Sequence, residues 1–241
     1  MLADVRRTAF GSACIALAAC VNHPTSIMDQ ATANCGAPIG WEQVATAAEA
    51  RVLIFGETHG TNEIPDTFAR YVCAASARGG KTLVLLEIDA SYADAFAAAS
   101  DADDPRAELL SKMSKHWAST DGRASEAILE MMESLIELRQ SGRALTIRPM
   151  AQMVGWPEMD SLEKLAAWLA EQPPTKIQQM GEDGLAEIIR TESEGFDRTI
   201  VLVGNVHARK AELTGLPGVQ LMAVLVPDSI SLIVLHDGGT S

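Results

Sequence analysis

The sequence predicts an α/β fold with a mainly parallel central sheet, helices on both faces and a C-terminal edge hairpin. Three observations lead there. Short apolar runs rich in β-branched residues alternate with segments of helical period. Strand, helix and strand follow one another within residues 51–87, a βαβ unit whose crossover makes the two strands parallel. Two of the runs, Val52-Leu-Ile-Phe-Gly-Glu-Thr-His59 and Ile200-Val-Leu-Val-Gly-Asn-Val-His207, end alike in Gly-x-x-His. Each histidine then falls just past a strand's carboxyl end, where open α/β sheets place their ligands.

The first 19 residues read as a signal peptide. Arg6-Arg7 is a basic start, and Thr8 to Ala19 is an apolar stretch shorter than the ~20 residues needed to span a bilayer. It ends in Leu17-Ala-Ala-Cys20, which resembles a bacterial lipobox and marks Cys20 for lipidation. Acyl chains would anchor the chain to a membrane without a transmembrane helix. The expected location is the cell envelope, on the outer membrane facing the periplasm. Residues 20–40, rich in Asn, Thr, Pro and Ala, read as a tether, and 41–241 as one α/β domain. An ordinary cleaved signal with an incidental cysteine is the alternative.

Within that domain, Trp41 to Ala50 is expected as a short helix and Arg51–Gly56 as the first strand. A helix capped at Thr61 or Asn62, with Pro65 in its first turn, runs to Arg78 and stops at Gly79-Gly80. Lys81–Glu87 is the second strand. Ser91 opens an alanine-rich helix that fades at Asp101-Ala-Asp-Asp-Pro105, a solvated loop without EF-hand spacing. A helix near Ala107–Lys115 leads to His116-Trp117, and Ala124–Gln140 is strongly amphipathic. Leu145–Arg148 is the third strand, and Met150–Pro157 a loop. Asp160-Ser-Leu-Glu163 reads as a capping box for a helix through Ala170. Thr175–Ser193 is helical, and Thr199–Gly204 is the fourth strand. Gln220–Val226 and Ser229–Leu235, around Pro227-Asp228, form the expected hairpin. There is no internal repeat.

Composition narrows the function. With 241 residues, 47% hydrophobic and 21% charged, the chain can bury a sizeable core. A formal net charge of −13 argues against nucleic acid as a partner, because phosphate binding needs a basic surface. Cys14 leaves with the signal, which leaves Cys35 and Cys73 beside the lipidated Cys20. An oxidising envelope would let them pair; otherwise Cys73 is a buried helical thiol and Cys35 an exposed one. No Cys-x-x-Cys, Gly-x-Ser-x-Gly elbow or P-loop occurs.

The candidate chemistry lies at the strand ends. Glu57 and His59 are two residues apart, and a carboxylate beside an imidazole raises its basicity and fixes its tautomer, as a general base for water requires. Glu87 follows a fully apolar strand, so its carboxylate needs a cationic partner: a metal, a histidinium or an arginine. A capping or surface role is its alternative. His207 repeats the geometry of His59, with Asn205 able to donate to an oxyanion. His59, Glu87 and His207 form a two-histidine, one-carboxylate set, a candidate divalent-metal site, with Glu57 as a fourth ligand or as base for metal-bound water. Arg123, after Asp121-Gly122, either reaches over the pocket to stabilise an oxyanion or bind an anionic group, or points to solvent. His116 and Trp117 are candidate pocket linings, Trp117 equally a core anchor. His23 and His236 are read as uninvolved.

These blocks together resemble the erythromycin-esterase-like, ChaN-like and Tiki-like superfamily. The matching pieces are Gly56-Glu-Thr-His59-Gly60 with Glu63, Leu86-Glu87, His116-Trp117 with Asp121-Gly-Arg123, and Gly204-Asn-Val-His207-Ala208, in order over most of residues 51–208. The resemblance implies a parallel sheet with a site at the strand ends and offers three activities. Erythromycin-esterase relatives use a histidine base on water, which is His59 here, supported by Glu57 and Glu87. Tiki-like proteases are metal-dependent and carry two Gly-x-x-His motifs, here ending at His59 and His207. ChaN-like members are envelope lipoproteins that bind haem as dimers, which fits Cys20 and implies haem and a homodimer for this branch. The two tyrosines, Tyr71 and Tyr92, lie in no recognisable haem motif, and the chain lacks room for the extra helical region of the antibiotic esterases. The leading expectation is therefore a lipid-anchored hydrolase acting on a small-molecule or peptide substrate through Glu57, His59, Glu87, Arg123 and His207. Haem or iron uptake without turnover is the alternative.

Overall fold

The computed structural model describes residues 35–36, 51–151 and 161–234. The signal peptide, Cys20, His23, nearly all of the tether, the helix expected at Trp41–Ala50, most of the Met150–Pro157 loop and His236 lie outside the described residues. Among the described residues five strands form one sheet: β1 (Val52–Glu57), β2 (Thr82–Asp89), β3 (Leu145–Ala151), β4 (Arg198–Gly204) and β5 (Ser229–Ile233). Their order is β3-β2-β4-β1-β5, and every pairing is parallel. The βαβ unit joins β1 to β2 as expected, but β4 inserts between them.

Alternation along the strands divides the core in two. Leu53, Phe55, Val84, Leu86, Ile200 and Leu202 face one side. There they meet α1 (Glu63–Ala77), α2 (Ala93–Asp101), α3 (Pro105–Lys112) and α5 (Glu126–Gln140). Val52, Ile54, Leu83, Leu85, Val201 and Val203 face the other side. That side is covered by Leu185, Ile188 and Ile189 of α7 (Pro174–Glu192) and by Met222 and Ala223 of α8 (Met222–Leu225). Leu83 and Leu85 have no solvent exposure, so truncating either to alanine costs about 2–5 kcal/mol.

Local signals set most boundaries. Asp104 and Ser125 accept the Ala107 and Ile128 N–H groups and cap α3 and α5. Ser161 accepts the Lys164 N–H and caps α6 (Leu162–Glu171). A four-residue α4 (Ser114–Trp117) follows α3. β3 continues past Arg148 to Ala151. Pro149 is tolerated there because β3 is an edge strand. Cys35 and Cys73 form a disulfide that ties the chain ahead of β1 to α1.

The C-terminal edge corrects the hairpin expectation. Ser229–Ile233 is indeed an edge strand, but it pairs parallel with β1, and the run before it is the helix α8. A short apolar run carries no periodicity that separates strand from helix. Topology decides here: a chain leaving the carboxyl end of β4 must cross back over the sheet to add a parallel strand. No helix among the described residues is long and apolar enough to cross a membrane.

Candidate functional site

The sheet order assembles the site. β2, β4 and β1 are neighbours, and their carboxyl ends carry Glu87, the Gly204–His207 turn and the Glu57–His59 turn. Glu57 is level with Gly204 in the register, and Leu86 with Leu202. Glu57, His59, Glu87 and His207 therefore come to the same end of the sheet, where Glu87 and His207 line a cleft and Glu57 and His59 stand outside its lining.

The two histidines are held alike. Glu57 is 5% exposed and accepts the His59 Nδ1–H at 3.0 Å. That hydrogen bond raises the His59 pKa above its ordinary 6.5, although burial partly opposes it. His207 Nδ1–H donates to Glu182 Oε1 at 2.8 Å, and Glu182 is wholly buried in α7. Burial disfavours the charged imidazole of His207, but the Glu182 hydrogen bond and the charges of Glu182 and Glu87 outweigh it, so its pKa is also raised. Burial likewise pushes Glu182 up, and its bonds from His207, the Met222 N–H and Gln178 bring it below the usual carboxylate value. In both histidines Nε2 is the nitrogen left for chemistry.

Glu87 lies between them. Its Oε2 accepts the Gly204 N–H at 2.6 Å, and its Oε1 accepts from the Arg123 guanidinium at 2.7 Å. His207 Nε2 is 3.8 Å from Glu87 Oε1. The cationic partner that Glu87 required is thus Arg123, and the solvent alternative for Arg123 is excluded. Asp121 grips the rest of the guanidinium, accepting from Nε at 3.0 Å and from the second terminal nitrogen at 2.7 Å. Burial works against the Asp121 charge, but the Arg123 hydrogen bonds hold its carboxyl down at about 2. Arg123 is therefore compensated on two sides and is not a free anchor for an anionic group.

Two glycines permit this packing. A Cβ on Gly204 would lie 2.9 Å from His59 Nε2 and 3.5 Å from Glu87 Oε2. Gly122, at φ +84°, brings the Asp121–Arg123 loop against His59 and Gly60, where a Cβ would sit 2.7 Å from the Gly60 nitrogen. Asn205 turns its amide to Thr58 Oγ1 at 3.1 Å and its N–H to the Glu57 carbonyl at 2.8 Å. It joins the two Gly-x-x-His turns instead of donating to an oxyanion.

Glu87, Arg123 and His207 line an open cleft of about 820 Å³, with Asp89, His116, Asp121, Gly181 and Leu185 around it. His116 Nε2–H donates to the Arg123 carbonyl at 3.0 Å, and burial lowers its pKa. Trp117 is the core anchor: its Nε1–H donates to the Leu109 carbonyl at 3.0 Å and its ring packs on the core. Glu182 was missed in sequence. Its signal is a carboxylate on the apolar stripe of α7, three and four residues before Leu185 and Ala186.

No protein-family model matches the chain. No curated protein matches it either. Among solved structures it is similar to the type III effector HopBA1, at 15% identity over 67% of this chain and 70% of that one, with a TM-score of 0.40. It is also similar to ChaN of Campylobacter jejuni, from a structure of cofacial heme binding, at 12% identity over 80% of this chain and 83% of that one, with a TM-score of 0.46.

The metal set expected from His59, Glu87 and His207 is not formed. Among the described residues no three His, Cys, Asp or Glu side chains gather into a group able to hold a metal ion. Arg123 is the physical reason, since its guanidinium takes the place beside Glu87 that a metal cation would fill. Tyr71 offers no open haem ligand, whereas Tyr92 is half-buried. Tyr71 is buried edge-on to Phe55 at 4.6 Å, and Tyr92 leans edge-on against His116 at 5.9 Å.

Proposed function

We propose that this protein is a cell-envelope hydrolase that activates water with His59. One observation supports the reading above the others. Two histidines, each with Nδ1 held by a buried carboxylate, flank the Glu87–Arg123 pair at the ends of three adjacent strands. Held by Glu57, the neutral His59 keeps its proton on Nδ1 and presents the Nε2 lone pair. That nitrogen takes a proton from water as the oxygen attacks a carbonyl carbon. Arg123 uses three of its five N–H groups on Glu87 and Asp121, and the other two would donate to the developing oxyanion, a hydrogen-bonding role that does not require an uncompensated charge. Glu87 keeps the guanidinium in place and ties it to the end of β4.

The substrate class is an ester or amide of a small molecule or peptide. It is neutral or cationic at the reacting end, because the charge of Arg123 is already balanced. Lipidation at Cys20 would place the cleft at a membrane surface, and the Cys35–Cys73 disulfide suits an oxidising compartment.

The test uses the full chain purified in detergent, a panel of acyl esters and peptides, and the His59→Ala variant. The reading expects turnover of at least one substrate and its loss in the variant. The competing reading is haem carriage without turnover. A Soret band on haem addition from a protein inert to the whole panel would replace the hydrolase reading with that one.

A further inference from the structure

Glu182 is a carboxylate with no solvent exposure, set on the apolar face of α7. Such a group survives only when donors surround it. Gln178 donates to Oε1, the Met222 N–H donates to Oε2 at 2.8 Å, and His207 Nδ1–H donates to Oε1 at 2.8 Å. The first two are local to α7 and α8. The third reaches out to a side chain that lines the cleft and faces Glu87 with its other nitrogen. The Ala223 N–H also donates to the His207 carbonyl at 3.0 Å, so main chain and ring of His207 are fixed from the same two helices.

We infer that Glu182 is a positioning residue that keeps His207 as the proton donor to the leaving group, so that the site serves alkyl esters or amides and not only activated esters. The inference rests on the hydrolase reading and deepens it. In the step it describes, water loses a proton to His59 Nε2 and its oxygen bonds to the carbonyl carbon. The bond from that carbon to the leaving oxygen or nitrogen then breaks, and the departing atom takes the proton from His207 Nε2. Solvent returns the proton from His59 to His207. An aryloxide leaves without protonation, whereas an alkoxide or amide ion does not.

The test compares an ethyl ester and a p-nitrophenyl ester of the same acyl group, using the full chain in detergent and the Glu182→Gln variant. The ethyl ester is expected to lose on the order of 10²-fold in kcat, and the p-nitrophenyl ester about threefold or less. Equal losses on both esters, or none on either, overturn the inference alone. A wild-type chain that turns over neither ester, nor any other member of the panel, overturns the hydrolase reading together with it. Because Glu182 is buried, a measurement on the unaltered protein accompanies the variant. A His207 imidazolium protonated at both nitrogens at the pH of activity, with its Nδ1 proton in slow exchange, supports the inference, and a neutral His207 overturns it.

Discussion

Glu87 accepts the backbone N–H of Gly204 at 2.6 Å, so a side chain two residues before the end of β2 is bonded to the main chain where β4 stops. The same carboxylate holds Arg123 through its other oxygen. One residue therefore fixes the spacing between two strand ends and sets the cation that faces the cleft. His59 packs directly over the glycine of this link.

Gly204→Ala should separate folding from function. The added methyl would meet His59 Nε2 at 2.9 Å in a backbone conformation that alanine can adopt. The imidazole must move, and a displacement of this size at a reacting group costs on the order of 10²-fold in rate. Circular dichroism should stay native while kcat/KM falls. A fully active alanine variant would show that His59 Nε2 is not used.

Arg123→Ala leaves the Glu87 carboxylate with the Gly204 N–H but without its cation. Loss of a charged hydrogen-bond partner destabilises by about 2 kcal/mol, a fall of roughly 5 °C in Tm for a chain of this size. Arg123→Lys should recover part of the stability but little activity, because an ammonium cannot span Glu87 and Asp121 with one planar fork. Thermal melts and rates on all three proteins check this.

The pH dependence follows from the Glu57–His59 pair. The folded pKa of His59 is raised above 6.5. Its charged form thus stabilises the fold fully below that value, and the contribution is lost as pH rises through the folded pKa. A base must be neutral, so activity rises over the same interval in which this stability is lost. Glu57→Gln removes the charge that raises the pKa. The acid limb of kcat/KM should move to lower pH, and the Tm advantage of the wild type should be larger at about pH 6 than at about pH 8. An unmoved acid limb would assign that titration to another group.

The Cys35–Cys73 disulfide spans a sequence separation of 38 residues. A closed loop of that length stabilises by about 4 kcal/mol in the chain-entropy account. Reduction, or Cys73→Ala, should lower Tm by roughly 10 °C and leave the strand ends in place, since neither cysteine touches the site. Melts with and without reductant measure it.

Much of this was legible in the sequence because the signals are local. Apolar runs ending in Gly-x-x-His announced β1 and β4, and Leu83–Leu86 announced a buried strand with a stranded carboxylate at its end. What sequence left open was non-local. Nothing in Glu87 distinguishes a metal from a guanidinium as its partner, and the choice of Arg123 emerges only when the Gly122 turn folds onto Gly60. Glu182 lies 25 residues from His207 along the chain and pairs with it only because α7 packs across the end of β4. The hairpin expectation failed for the same reason. The Met222 N–H is taken by Glu182 and the Ala223 N–H by the His207 carbonyl, so the run that looked like a strand becomes part of the support for the site.

The central claim is that His59 activates water for hydrolysis, and kcat/KM of His59→Ala against the wild type, on the best substrate of the panel, tests it most directly. A loss of on the order of 10²–10⁴-fold with native folding is the predicted result. A variant that hydrolyses the same substrate at the wild-type rate would contradict it.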